Sequence, residues 1–501
     1  MLEVPVVPAP VRSERRDGPP FVLRPGVRVL VGEDPAAVAV AVLAATQVGR
    51  QVNAPVAVTQ DDDGGAGVIE LRLTTDPAHL PVPPGVAPAL ATEAYRLAVD
   101  ARRIVVTALD ATGLLRGLAT LEQLARPAGA DGVSFAPVLV VDHPRYAWRG
   151  LCLDLARHYF DADAVKSVVR LLFSLKLNVL HLHLTDDQGW RVHLPSRPEL
   201  TARSGRTGVG GDPAGFLTAE EYADLVAYAA ALGVTVVPEI DMPGHVNAAL
   251  HAYGELAPSG TPAPAYTGVG VGFSRLDAQL PATAAFIEAV FGDIVRMTPG
   301  PYVHIGGDEA LTMHAAEYDG LVGLAAGTVN AAGKAVVSWQ EAARAPLPPG
   351  SILQFWDDRD ERGEIGAVVA AAAAGARVVL SPAARLYLDT RYDADFPIGQ
   401  DWAGYLTLRD AYDWEPATLL PIPADQVLGI EAALWTETVR TRQDLFLMLL
   451  PRLAAVADVA WAAPEVRSWS AFLERLPRLG SRWDDAGLPW YRAALDGAGD
   501  A

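Results

Sequence analysis

A chain of 501 residues, 50% hydrophobic and 20% charged, has enough material for one large folded domain and a smaller one. Its net charge of -20 argues against nucleic acid and anionic membrane surfaces as partners, because both are bound through basic surface. The single cysteine, Cys152, excludes a disulfide framework and any multi-cysteine metal site, and its place in the apolar run Leu151 to Leu155 marks it as a core residue.

The N-terminus, MLEVPVVPAPVRSERR, lacks the basic start and continuous apolar core of a signal peptide, so the chain is expected in the cytoplasm unless a leader has been removed. The longest small-residue run, Val368 to Ala374, is too short to span a membrane. Residues 1 to about 20 are rich in proline and charge and predict an irregular arm. From Phe21 to about Pro127, β-like runs (Val27 to Val31, Val68 to Leu73, Tyr95 to Val99, Ile104 to Thr107) alternate with helical segments at Ala36 to Val48 and Gly113 to Ala125. The pattern predicts a small α+β domain over residues 1–143 with helices on one sheet face and no catalytic cluster.

A connector containing Pro137 and His143-Pro144 follows, and at Arg149 the rhythm changes. Eight short apolar strands are predicted at Gly150 to Leu155, Asn178 to Leu184, Val234 to Ile240, Tyr302 to Ile305, Ala335 to Ser338, Ile352 to Phe355, Arg377 to Leu380 and Leu428 to Leu434. Helical stretches such as Ala162 to Leu175, Ala219 to Leu232 and Thr283 to Met297 lie between most of them. The repeat predicts a (β/α)8 TIM barrel over residues 144–501. A doubly wound open sheet is the alternative, but no glycine-rich phosphate loop follows the first strand.

Barrel enzymes build their sites where the strands end. Here those positions hold Arg157, then Asp186 and Asp187, then Glu239, Asp241 and His245, then Asp308 and Glu309. Trp339, Trp356, Tyr387 with Asp389, and Trp435 with Glu437 complete the circuit. In HIGGDE (His304 to Glu309) two glycines let the backbone turn after a strand, so adjacent carboxylates can enter one pocket, where their pKa values are pushed apart. Tryptophans stack on the apolar face of a pyranose, while carboxylates and arginine bind its hydroxyls, so Trp339, Trp356, Trp402 and Trp435 with Arg157, Asp389 and Glu437 suggest a sugar pocket. Glycoside cleavage usually needs carboxyls on opposite faces of the sugar, which adjacent residues serve poorly; a mechanism with one protein acid fits better.

HIGGDE, HLHLTDDQGW, PEIDMPGH, DLARHYF and LWTE together resemble glycoside hydrolase family 20, the β-N-acetylhexosaminidases, from about Arg149 to about Trp461. YRLAV and LLRGLATLEQL resemble that family's N-terminal domain. The resemblance implies a retaining exo-enzyme that removes terminal β-linked GlcNAc, and GalNAc, from oligosaccharides by substrate-assisted catalysis, with neither cofactor nor metal. It implies Glu309 as general acid and base, Asp308 as acceptor of the acetamido N–H, and Tyr387 as donor to the acetamido oxygen. Trp339, Trp356 and Trp435 would box the acetamide, Arg157, Asp389 and Glu437 would hold ring hydroxyls, and Trp402 would close one side. Asp186, Asp241 and His245 would form a supporting network. Arg203 to Phe216 falls, by the same resemblance, in a loop that varies within the family, Ala310 to Tyr318 carries no interpretable motif, and both are expected to bear on linkage preference.

Two other readings start from the same residues. His181 and His183 face the same way on one strand, with Asp186 and His193 near, a spacing that can bind zinc in a metal-dependent hydrolase; the alternative is histidines hydrogen-bonded beneath the pocket. A non-catalytic sugar-binding protein on the same scaffold would need the tryptophans but not the Asp308-Glu309 pair.

Overall fold

The computed structural model describes residues 4–62, 64–76, 79–80, 86–128, 132–360 and 362–495; the first three residues of the expected arm lie outside them. The alternating runs of the first domain form a sheet of seven strands: β1 (Arg12–Arg15), β2 (Arg28–Val31), β3 (Ala57–Thr59), β4 (Val68–Leu73), β5 (Tyr95–Val99), β6 (Arg103–Ala108) and β7 (Val138–Asp142). Their spatial order is β1-β7-β5-β6-β4-β2-β3. Helices α1 (Pro35–Val52) and α2 (Ala111–Leu124) pack together against this sheet, and α2 is buried nearly all round because the barrel covers its other side. Asp110 starts α2 by accepting the N–H of Thr112 with its carboxylate.

The expected irregular arm needs correction. Arg12–Arg15 is an edge strand antiparallel to β7, with Arg12 opposite Val141. It is largely exposed on both faces, so no apolar alternation marks it. The residues before it are tied down too, since Val4, Val6 and Val7 are buried and the Val7 N–H donates to Gln123 Oε1 (2.9 Å). Strand β7 likewise lies within the stretch that reads as a connector.

Eight parallel strands then close into a barrel: β8 (Trp148–Asp154), β9 (Val179–His183), β10 (Thr235–Glu239), β11 (Tyr302–His304), β12 (Ala335–Trp339), β13 (Ile352–Phe355), β14 (Arg377–Leu380) and β15 (Val427–Leu434). Leu151 on β8 pairs with Leu180 on β9 and with Ala432 on β15, and this closure rules out the open doubly wound sheet. Among the outer helices are α3 (Ala162–Ser174), α4 (Ala219–Ala231), α5 (Pro281–Met297) and α6 (Ala315–Ala331). Between β12 and β13 there is only a 3-10 turn, Gln340–Arg344, because Pro346, Pro348 and Pro349 prevent a longer helix. Among the described residues no helix is long and apolar enough to cross a membrane.

Every second strand residue points inward, so the barrel interior is layered. Trp148, Val179, Val237, Val337, Ile352, Val379 and Leu428 plug the floor. Above them lies a polar layer centred on Glu431, which accepts from Trp148 Nε1 (2.7 Å) and Gln354 Nε2 (2.9 Å) and pairs with His181 Nδ1 (2.9 Å). Gly150 makes room for it, since a Cβ there would lie 2.2 Å from Glu431 Oε2. Cys152 is fully buried in this interior, and burial pushes its thiol up to about 12, as suits a core residue rather than a nucleophile.

Candidate active site

The fourth strand ends at His304, and the backbone then turns through Gly306 (φ 70°) and Gly307 (φ 108°). Glu309 itself is left-handed at φ 46°, a conformation that costs a non-glycine residue about 1–3 kcal/mol and persists only where the surroundings enforce it. They do so here by gripping both polar groups of Gly307. Its N–H donates to Asp241 Oδ1 (3.1 Å), and its carbonyl accepts from the hydroxyl of Tyr318 (2.6 Å). The turn delivers Asp308 and Glu309 into one pocket despite their adjacency.

A buried chain of charged groups supports the pair. His245 places Nε2 3.5 Å from Glu309 Oε2 and 3.6 Å from Asp308 Oδ2, and its Nδ1 3.2 Å from Asp186 Oδ1. Asp186 Oδ2 in turn meets Arg157 Nη2 (2.8 Å) and His183 Nε2 (3.0 Å). Burial opposes charge on His245, but Asp186 and Asp308 outweigh it and hold the imidazole protonated well above its ordinary range. Burial likewise opposes ionisation of Asp186, yet Arg157 and His245 keep it ionised.

The two pocket carboxyls respond in opposite directions. Burial pushes Asp308 up, aided by the charges of Glu309 and Glu239 and only partly offset by His245. Burial also opposes ionisation of Glu309, but the hydrogen bond and charge of His245, with Arg362 and Arg157, bring it below its usual value. The pair is split as adjacency implies, but in the unliganded site the more readily protonated member is Asp308.

The pocket encloses about 310 Å³. Trp339 is fixed by donating Nε1 to Glu239 Oε1 (2.8 Å), and its ring lies 5.9 Å from that of Trp435. Tyr387 packs 6.0 Å from Trp435 and lies nearly parallel to Trp356 at 6.3 Å. Trp402 stands across both Trp356 and Tyr387 at steep angles and is 45% exposed, so it borders the mouth. At the far end the Arg157 guanidinium sits 5.1 Å over Trp435, beside Asp389 and Glu437. Both carboxylate oxygens of Asp389 and Oε2 of Glu437 are buried without a hydrogen-bond partner. Burial pushes both groups up, and their unpartnered oxygens face a pocket in which a ligand or water can supply partners.

The glycosyl hydrolase family 20 catalytic domain matches residues 146–320 and 319–464, and that family's domain 2 matches residues 3–143. The chain belongs to glycosyl hydrolase family 20. It is 52% identical to a β-N-acetylhexosaminidase of Cellulomonas fimi over 98% of this chain and 96% of that protein. It is 34% identical to a β-hexosaminidase of Vibrio furnissii over 74% of this chain and 65% of that one. Among solved structures, a mutant Streptomyces plicatus β-hexosaminidase in complex with its product GlcNAc superposes with TM-score 0.90 at 38% identity, covering 98% of this chain and 97% of that chain. The Streptomyces coelicolor family 20 β-N-acetylhexosaminidase superposes with TM-score 0.89 at 37% identity, covering 97% of each chain.

In this family 20 chain, eleven of the residues singled out from sequence line the pocket: Arg157, His245, Asp308, Glu309, Trp339, Trp356, Tyr387, Asp389, Trp402, Trp435 and Glu437. Asp186 and Asp241 lie beneath it, bonded to His245 and to the Gly307 amide. Sequence reasoning missed Val269, Val271, Asp357, Arg359, Arg362 and Gln400, which also line it. Only the charge-rich run Asp357 to Glu364 offered a signal. The two uninterpreted segments do not line the pocket. Arg203 to Phe216 instead braces the loop that does, through the Gly210 N–H to the Thr267 carbonyl (2.8 Å), and Tyr318 braces the Gly307 turn.

The zinc constellation does not assemble around its four residues. His193 turns to Thr201 Oγ1 (3.2 Å), while His181 pairs with Glu239 and Glu431, and His183 with Glu239 and Asp186. His183 is pushed up to about 9, because Glu239 and Asp186 outweigh its burial. Buried His and carboxylate triples such as His181, Glu239 and His304 do bring ligand-type atoms within 4.8 Å of one another. In that triple Glu239 lies 3.0 Å from both His181 Nε2 and His304 Nδ1, and burial lowers the pKa of His304, so the second ring stays neutral beside the carboxylate.

Proposed function

We propose that this chain is a retaining exo-β-N-acetylhexosaminidase that hydrolyses terminal β-linked GlcNAc, and GalNAc, with the substrate's own acetamide as nucleophile. The observation that carries the reading is that Asp308 and Glu309 both approach the same nitrogen of His245, at 3.6 and 3.5 Å. Carboxyls gathered on one histidine lie on one side of the pocket and do not straddle a sugar ring, as two-carboxylate hydrolysis requires. Asp389 and Glu437, whose burial favours their neutral forms, make poor nucleophiles. Asp308 therefore serves an internal nucleophile.

Glu309 protonates the glycosidic oxygen as the acetamide carbonyl oxygen closes on C1 and the C1–O bond breaks, giving an oxazolinium ion. Asp308 accepts the acetamide N–H and offsets the charge of that ion. Tyr387, whose hydroxyl is kept protonated by burial and by Asp389 and Asp308, donates to the carbonyl oxygen. Water then attacks C1 and displaces the acetamide oxygen, Glu309 takes the water's proton, and the product leaves with its acetamide restored and its configuration retained. Holding the acetamide in line supplies effective molarity worth up to roughly 7–11 kcal/mol. Trp339, Trp356 and Trp435 supply the box that holds it, and buried Arg157 and Asp389 with half-buried Glu437 offer partners for the hydroxyls of one terminal sugar, which supports exo action.

Release of p-nitrophenol from the β-GlcNAc glycoside, beside β-GalNAc and β-glucoside and with or without EDTA, tests the proposal. EDTA-resistant turnover of the acetamido sugars with none of the glucoside is expected. Equal cleavage of the glucoside overturns substrate assistance, and loss with EDTA revives the metal-dependent reading. Sugar binding without turnover of any glycoside leaves a binding protein.

A further inference from the structure

The two ends of the pocket differ in chemistry. The closed end is buried and reads sugar hydroxyls, whereas the open end lies beside Glu309, where the departing group must sit. One side of that mouth is apolar, formed by Val269 (56% exposed) and Val271 (42% exposed). Asp357, Arg359 and Arg362 also line the pocket and bring two arginines. Arg359 is engaged, lying 5.2 Å over the Trp402 ring with Nε 3.2 Å from Asp357 Oδ1. Arg362 is not held in this way. Its nearest carboxylate oxygens among the described residues are Glu309 Oε1 at 3.7 Å and Glu341 Oε1 at 3.9 Å, both beyond hydrogen-bond distance. Its backbone is anchored, because Arg344 Nη2 donates to the carbonyls of Arg362 and Gly363 (3.1 Å each).

On the reading of the active site given above, we propose that Arg362 is a specificity-determining residue that selects glycosides whose leaving sugar carries an anionic group, a carboxylate or a sulfate ester. A guanidinium offers a planar fork of donors that matches either anion bidentately. The chain as a whole carries a charge of -20 and repels anions, so an anionic leaving group needs a local cation at the mouth. Arg362 is 38% exposed at its side chain and points its charge at the acid that acts on that group.

The same placement couples recognition to catalysis. Among the described residues, the charged groups around Glu309 are His245, Asp308, Arg157 and Arg362, and those around Arg362 are Glu309 and Glu341. Burial, with Asp308 and Glu364, favours the neutral form of Glu341, so it does not cancel the arginine. Unoccupied, Arg362 favours ionised Glu309, the form that cannot donate. An anion bound to Arg362 neutralises it and returns Glu309 towards the protonated form.

The test compares kcat/KM for β-GlcNAc linked to glucuronic acid and to glucose, and for β-GlcNAc linked to 6-sulfated and to plain galactose, in the wild type and in Arg362→Gln and Arg362→Lys. The wild type is expected to favour at least one anionic member over its neutral partner by roughly tenfold to a hundredfold. Arg362→Gln should bring that ratio to about one, Arg362→Lys should keep part of it, and the two pairs identify which anion is read. With a neutral substrate, Arg362→Gln should move the alkaline limb of kcat/KM to higher pH, a change that a merely structural role would not produce. Equal kcat/KM within both pairs in the wild type overturns the role of Arg362, as does a preference that survives Arg362→Gln. Hydrolysis of p-nitrophenyl β-GlcNAc by the wild type reports on the active-site reading separately, so failure there is distinguishable from failure of this inference.

Discussion

Gly306 and Asp241 share a space that admits no side chain: a Cβ on Gly306 would stand 1.7 Å from Asp241 Oδ1. The same carboxylate binds the Gly307 amide, so the turn that presents Asp308 and Glu309 is built around this contact. Gly306→Ala is expected to push the turn off Asp241. A displacement near 1 Å at reacting groups costs about 100-fold in rate. Measured kcat should fall by at least that factor while the barrel still melts cooperatively; retention of wild-type kcat would show that the turn tolerates the methyl group.

Glu309 and Asp308 should fail differently. Glu309→Gln removes the proton donor, a loss of about 10²–10⁴ in kcat for a disaccharide. The loss should be much smaller for p-nitrophenyl β-GlcNAc, whose leaving group needs little protonation. Asp308→Asn acts on the nucleophile and should slow both substrates by similar factors. A leaving-group dependence equal in the two variants would contradict this division of roles.

The direction of the Glu309 shift sets a pH dependence. Burial favours the protonated acid, but His245, Arg362 and Arg157 hold it below its ordinary value in the free site. Substrate expels water from the pocket and strengthens the burial effect, which raises a carboxyl pKa. The alkaline limb of kcat, which reports the bound complex, should lie at higher pH than that of kcat/KM for a neutral disaccharide. Coincident limbs, or the reverse order, would count against Glu309 as the acid.

Glu93 ties the small domain to the barrel. Its carboxylate takes Arg149 Nη1 (3.0 Å) and Arg116 Nε (2.7 Å), and both arginines are buried. Burial opposes its ionisation, yet Arg149 and Arg116 lower its pKa in the folded chain. A depressed carboxyl contributes stability that is present above its unfolded value and is lost as pH falls through the folded one. Glu93→Gln should therefore destabilise near neutrality by about 3–5 kcal/mol, because two buried arginines lose their partner. The gap from wild type in urea melts should narrow in strongly acidic buffer, and a gap independent of pH would exclude an electrostatic origin.

How much was readable in advance depended on where each signal lies along the chain. Apolar runs such as Ile352 to Phe355 and Arg377 to Leu380 match the strands residue for residue, because strands buried on both faces carry an uninterrupted local pattern. Arg12–Arg15 was missed because an exposed edge strand is identified by its partner, 129 residues away for the Arg12–Val141 pair (141 − 12). Val269, Val271 and Arg362 were missed for a related reason. Val269 and Val271 lie 30 and 32 residues beyond the end of β10 at Glu239 (269 − 239, 271 − 239), and Arg362 lies seven beyond the end of β13 at Phe355 (362 − 355). None stands at a strand end, and each reaches the pocket through its loop.

The sequence by itself determined the order of strands and helices and the chemical types offered at the strand ends, since both are properties of neighbouring residues. It also carried the family motifs that place Asp308 and Glu309 side by side. Only the tertiary structure decided how the proton load is shared between those two carboxyls, because His245, Arg157, Arg362 and Glu239 reach them from other loops and strands. Charge interactions and burial act through space at a few ångströms, and closing eight strands into a barrel is what brings these groups within that range.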